Sequence, residues 1–141
     1  MSDQLNLEVV TPHRTVLLEE VDSVTLPGIE GELGILPEHV PLLTTLDTGI
    51  MSYNNNGKTQ AIAVHWGYAQ VEGNSVRVLA ELAETAAEID LQRAKDAETK
   101  AKENLVSGTP ATDWKAEESR QNKYESKLKR SIVRQTVAQS H

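Results

Sequence analysis

The residues able to do acid–base, nucleophilic or metal chemistry are few and scattered. The four histidines, His13, His39, His65 and His141, are too far apart for metal-ligand spacing. With no cysteine in the chain, thiolate sites and a disulfide framework are excluded, and a reducing compartment is allowed. Glu38-His39 is an acid–base pair by residue type. Pro37 and Pro41 bracket it, which makes a stiff loop rather than a substrate pocket, so a contact role suits His39 better than catalysis. Gly57-Lys58-Thr59 resembles the end of a phosphate loop, but that pattern needs a glycine where Ser52 stands, and a hairpin turn accounts for it. No serine sits in a nucleophile-elbow context. What remains is the chemistry of contact and charge: Glu30 and Glu32 around Gly31, Asp90 three residues before Arg93, and the cations Lys123, Lys127, Lys129, Arg130 and Arg134.

These groups need elements to hold them, and one stretch organises the chain. Leu26 to Gly49 reads LPGIEGELGILPEHVPLLTTLDTG and holds four of the eight glycines and three of the five prolines, yet it is too apolar for a loose loop. Gly28, Gly31 and Gly34 recur among Ile29, Leu33, Ile35 and Leu36, which suits turns or close approach by another surface. A stiff, acidic, partly apolar segment of this kind is built for contact.

At 141 residues the chain holds one ordinary domain, or a small domain with an appendage. Without phenylalanine it has no large aromatic core. The N-terminal MSDQLNLEVV lacks the basic and apolar regions of a signal peptide, and no apolar run reaches the roughly 18 to 20 residues of a membrane span. The net charge of −7 hides an asymmetry. Residues 1–86 carry twelve acids against three bases, whereas from Arg120 onward there are six bases and one acid. The acidic front disfavours nucleic acid, and the basic tail suits an acidic protein surface.

Leu5, Leu7 and Val9 alternate with polar or smaller neighbours as in a half-buried strand. Arg14–Val21, Ser23–Leu26, Glu32–Leu36, Leu42–Leu46, Gly49–Tyr53, Thr59–Val64, Tyr68–Val71 and Ser75–Leu79 continue the pattern, with turns at Asn54–Gly57 and Glu72–Asn74. The expectation is an antiparallel sandwich of about ten strands. The periodicity changes at Ala80. Thr85 and Glu88 have capping-box spacing, and Asp90 is a second cap for a helix reaching Leu105. Asp90, Ala94, Ala97, Ala101 and Leu105 share a face whose small side chains let a second helix approach closely. Ser107 to Pro110 breaks that helix, and Thr112 or Asp113 caps the next, from Trp114 to Val137, with Tyr124, Leu128, Ile132 and Val133 as its thin apolar stripe. A helix so poor in core residues packs weakly. The fold class is therefore β + α: a sandwich domain over residues 1–86 and a detachable two-helix hairpin over 87–141.

The run GELGILPEHVPLLTTLDTG resembles the signature of epsilon subunits of F-type ATP synthases, and the order from VVTP near the start to IDLQRA after the strands agrees along nearly the whole chain. That resemblance implies a non-catalytic rotor subunit that clamps the gamma subunit to the c-ring, couples ion flow to ATP synthesis, and brakes hydrolysis through its hairpin. Glu32 and His39 match the family pattern residue by residue, which implies c-ring contact for them, joined by their neighbours Glu30 and Gly31. In several family members an Ile/Leu-Asp-x-x-Arg-Ala run, here Ile89 to Ala94, belongs to an ATP site that also uses arginines. Asp90 and Arg93 match it, while Lys100, Lys123 and Lys127 stand where the arginines fall, offering point charges rather than planar forks. No obligatory cofactor is implied, and ATP enters as a weak regulatory ligand. The resemblance also places Lys123, Lys127, Arg130 and Arg134 against an acidic segment of a catalytic beta subunit in the alpha–beta head, on the cytoplasmic face of a bacterial inner membrane or its organellar equivalent. Two other readings stand beside it: a stand-alone nucleotide-sensing module, and a small hydrolase using His39 with nearby carboxylates.

Overall fold

The computed structural model describes residues 4–107 and 114–139. Its strands are β1 (Leu5–Val10), β2 (Thr15–Val21), β3 (Ser23–Gly28), β4 (Gly31–Ile35), β5 (Leu42–Leu46), β6 (Gly49–Asn55), β7 (Lys58–Glu72) and β8 (Ser75–Thr85). A 3₁₀ turn, Ala86–Glu88, leads into helices α1 (Leu91–Ser107) and α2 (Trp114–Gln139). The helix break at Gly108–Pro110 and the caps Thr112 and Asp113 lie outside the described residues.

Among the described residues the strands number eight where the sequence suggests about ten, because β7 and β8 each serve both layers of the sandwich. The first half of β7 pairs with β6 and the end of β8; its second half pairs with β5 and the start of β8. The inward positions change phase at the crossing, from Ile62 and Val64 to Ala69 and Val71 in β7, and from Val76, Val78 and Ala80 to Ala83 in β8. Trp66 adopts φ 60° there, and a Cβ on Gly67 would sit 2.1 Å from the Leu79 carbonyl oxygen. The change of periodicity at Ala80 is thus a bend within β8, which continues to Thr85. All pairings are antiparallel except that of β1 with β8, which is parallel. The long chain segment between those two strands permits the crossover that parallel pairing requires.

The core is aliphatic, with Leu5, Leu7, Val9, Val76 and Val78 of one layer packed on Val24, Leu26, Met51, Ile62 and Val64 of the other. Asn56 and Gly57, both at positive φ, make the tight β6–β7 turn, which Asp22 fixes by accepting the Asn56 N–H at 2.9 Å. The hairpin seats on the outer face of β6 and β7 through a second, small cluster in which Val133 and Val137 of α2 meet Ala63, with Ile50, Ala61, Ala86 and Ile89 around them.

The helix starts follow the sequence. Glu88 reaches back to the Thr85 N–H and hydroxyl, at 3.3 and 2.8 Å, and Asp90 Oδ1 accepts the Arg93 N–H at 3.1 Å. Two assignments of face change. Ala94 and Ala101 are buried but Ala97 is exposed, since the inner face of α1 runs through Glu98, which accepts a hydrogen bond from Gln135 of α2. On α2, Ile132 is exposed, and Ser131, Val133 and Val137 are the buried positions. The helix touches two surfaces at once, α1 and the sheet, so its buried residues do not form one stripe.

Candidate interaction sites

The organising stretch folds into the β3–β4 hairpin and the loop that follows it. Pairing of Gly28 with Gly31 leaves Ile29 and Glu30 at the tip, where a Cβ on Gly28 would lie 2.7 Å from the Gly31 carbonyl oxygen. Glu30, Gly31 and Glu32 are exposed, as is Ile29. After β4 the chain turns at Pro37-Glu38, with Glu38 at φ 65°, and the His39 N–H bonds back to the Leu36 carbonyl at 3.1 Å. Asn74 of the β7–β8 turn accepts the Glu38 N–H at 2.8 Å, and the His39 ring pairs through Nδ1 with the Val40 carbonyl at 2.7 Å. Leu36 and Val40 project from this loop. Strand β4 separates the Glu30–Glu32 tip from His39, so the four residues lie at two places on the surface rather than in one cluster.

A third surface gave no signal in the sequence. Leu43, Trp66, Tyr68 and Leu79 are each roughly half or more exposed on the outer side of β5, β7 and β8, and Tyr68 stands opposite both Thr45 and Leu79. Singly such residues are ordinary on a surface, but together they form an apolar face. Only the bend in β7, invisible in the residue pattern, turns Trp66 outward beside Tyr68.

Between the helices runs a groove in two parts that share Ala97 and Arg134. The first part, about 420 Å³, brings Asp90 and Arg93 together with Glu84, Glu88 and Arg134. The second, about 430 Å³, is cationic and gathers Lys100, Lys127, Arg130 and Arg134 around Tyr124 and Asn104. Lys123 lies over the Tyr124 ring at 5.7 Å and Lys127 at 5.5 Å. Asp90, Arg93, Lys100 and Lys127 therefore line one continuous groove, with Lys123 at its aromatic margin. Glu84, Glu88 and Tyr124 join them; the end of a strand and a helix stripe carry no sign of such a role.

Two cations of α2 reach the sandwich. Lys129 pairs with Asp47 of the β5–β6 turn at 2.7 Å, and Arg134 Nε donates to Glu84 at 2.6 Å. The hydrogen bond from Lys129, opposed by desolvation and aided by the Thr48 N–H, holds the Asp47 carboxyl below its ordinary value. The Glu84 carboxyl is also lowered, by His65 first and by Arg134, against desolvation. Of these two neighbours Arg134 makes the true hydrogen bond. His65 Nε2 is 3.4 Å away, and neither of its ring nitrogens has a partner in hydrogen-bond geometry. Among the described residues there is no group of three or more potential ligands for a metal, and no helix long and apolar enough to cross a membrane.

The fold and surfaces define a strand sandwich carrying a helical hairpin on one outer face. Residues 4–86 match the family model described as ATP synthase, Delta/Epsilon chain, beta-sandwich domain. The chain belongs to the ATP synthase epsilon-chain family. It is 53% identical over 110 residues to the ATP synthase epsilon chain of Carboxydothermus hydrogenoformans, covering 78% of this chain and 82% of that one. It is 45% identical over 138 residues to that of Geotalea uraniireducens, covering 98% and 96%. A chain in the Euglena gracilis mitochondrial ATP synthase OSCP/F1/c-ring structure shares the fold with a TM-score of 0.78, at 24% identity over 100% of this chain and 84% of that chain.

Proposed function

We propose that this chain is a non-catalytic central-stalk subunit of a rotary ATP synthase, which couples ion translocation to ATP synthesis and restrains ATP hydrolysis through its hairpin. The observation that carries the reading is the division of the molecule into two unequal bodies. The sandwich has a closed aliphatic core of its own, while the hairpin rests on a few small side chains and two ion pairs. In this reading the exposed Leu43–Trp66–Tyr68–Leu79 face takes the gamma subunit. The Glu30–Glu32 tip and the His39 loop take the c-ring, which holds the chain peripherally at the cytoplasmic face of a bacterial inner membrane. Released, α2 offers Lys123, Lys127, Arg130 and Arg134 to an acidic segment of a beta subunit in the alpha–beta head.

The test is ATP hydrolysis by the assembled catalytic head with the full chain and with a chain truncated from about Asp90. Inhibition by the full chain that vanishes on truncation and weakens with added salt is the expected result. Equal hydrolysis with both chains removes the inhibitory role.

The cationic groove favours ATP as a regulatory ligand of the docked hairpin. Lys100, Lys127, Arg130 and Arg134 can meet a polyphosphate, and Tyr124 offers a ring face to a base. Calorimetric titration of the chain with ATP tests this: binding that Lys100→Ala and Lys127→Ala weaken supports it, and no heat at millimolar ATP removes both it and the stand-alone nucleotide sensor.

A further inference from the structure

His65 has no part in the surfaces described above, yet it is one of the most completely buried polar side chains among the described residues, at 3% exposure. Its place in β7 explains why. Ala61, Ala63 and His65 alternate with the inward Ile62 and Val64, so they point to the outer face of the layer. That face is the seat of α2, where Val133 and Val137 pack on Ala63. The hairpin is thus the lid over this imidazole. Its charged neighbours are Glu84 of β8, at 3.4 Å, and Arg134 of α2, which binds the same carboxylate oxygen at 2.6 Å. Glu88 of the 3₁₀ turn and Asp90 and Arg93 at the start of α1 line the same groove as Glu84 and Arg134. The packed residues of β6 and of the 3₁₀ turn's apolar side, Ile50 and Ala86, bring no charge.

We propose that His65, Glu84 and Arg134 form a proton-operated latch, in which protonation of the buried imidazole releases the hairpin from the sandwich. The argument compares the two states of the hairpin. Glu84 stays beside His65 in both, because their strands are paired, with His65 opposite Leu82 and Val64 opposite Ala83. Its attraction for an imidazolium is therefore common to both. What differs is Arg134 and water. With the hairpin docked, a charged imidazole is shut away from solvent and shares one carboxylate with a guanidinium, so that two cations compete for it. With the hairpin released, the guanidinium leaves, water enters, and the imidazolium has Glu84 to itself. Both differences favour release on protonation.

This rests on the mobile hairpin argued above, and the experiment separates the two. The chain has no native cysteine, so cysteines placed at the exposed Lys58 and Ser126 carry a unique spin-label pair. Pulsed dipolar spectroscopy of the full chain reads the docked and released populations. Between pH 7.5 and 5.5 the docked-to-released ratio falls severalfold, and His65→Gln and His65→Asn abolish the fall. Val137→Asp releases the hairpin at both pH values. A ratio unchanged by acid in the chain bearing His65, with Val137→Asp released, overturns the latch alone. The same acid response in both His65 variants also overturns it. A hairpin that stays docked in Val137→Asp overturns the mobile hairpin and the latch together.

Discussion

Arg134 and Lys129 make the same kind of contact at different depths, and depth decides what each is worth. The Lys129 and Asp47 side chains are 51% and 38% exposed, so Lys129→Ala weakens docking by about 0.5 kcal/mol at low salt and less at high salt. Arg134 and Glu84 are 29% and 22% exposed, and Arg134→Ala costs about 1.5 kcal/mol, or somewhat over tenfold in the docking equilibrium. Amide hydrogen exchange along α2 measures both. Acid acts on the same pairs. The Asp47 and Glu84 carboxyls lie below their ordinary values of 3.8 and 4.5, so the docking they support is complete above those values and is lost as pH falls through the lowered ones. Protection of the α2 amides, taken relative to their intrinsic exchange rates, therefore falls as pH drops through the lowered carboxyl values, and Glu84→Gln removes its share of that step. Elsewhere Gly67 tolerates no side chain, because a Cβ would meet backbone rather than a flexible side chain. Gly67→Ala is expected to cost about 3 kcal/mol in denaturant unfolding.

At the level of elements, stability is unequally shared. Leu26 is fully buried in the main cluster, and Leu26→Ala costs about 3 kcal/mol of sandwich stability. Val137→Ala acts on a cluster of three buried residues and loosens only the hairpin, leaving the sandwich midpoint in denaturant unchanged within about 0.5 kcal/mol. The elements that local chemistry specifies were legible in the sequence. Asn56-Gly57 makes its turn because both residues adopt positive φ, and Thr85, Glu88 and Asp90 cap as their spacing requires. What sequence could not reveal depends on contacts between distant segments. The bend at Trp66-Gly67 looks like a gap between strands, since the inward phase slips there, and the parallel match of β1 with β8 joins the two ends of the sandwich. Ile132 resembles a core residue but faces outward, while His65, read only as a failed metal ligand, is buried on the face of β7 where Ala63 meets α2. The groove was partly legible. Asp90 and Arg93 are local helix chemistry, but Glu84 and Tyr124 reach it only through packing of the two helices.

For the whole molecule, the proposed function has docking and reaching a partner draw on one set of cations. Arg134 closes against Glu84 and lines both parts of the groove, and Lys127 and Arg130 face the groove when the hairpin is down. A chain carrying Glu84→Gln is accordingly a stronger inhibitor of hydrolysis by the assembled head than the unaltered chain, because its hairpin is released more of the time. Equal half-maximal inhibitory concentrations for the two would show that docking does not limit inhibition. The Arg134–Glu84 contact also sets a scale for any acidic partner. The apparent dissociation constant equals the intrinsic one divided by the released fraction, so a hairpin that is free about one part in a hundred of the time binds about a hundredfold more weakly than its cations alone would allow. In the proposed reading Glu84, on the sandwich rather than on the cationic helix, thereby tunes how much partner is needed.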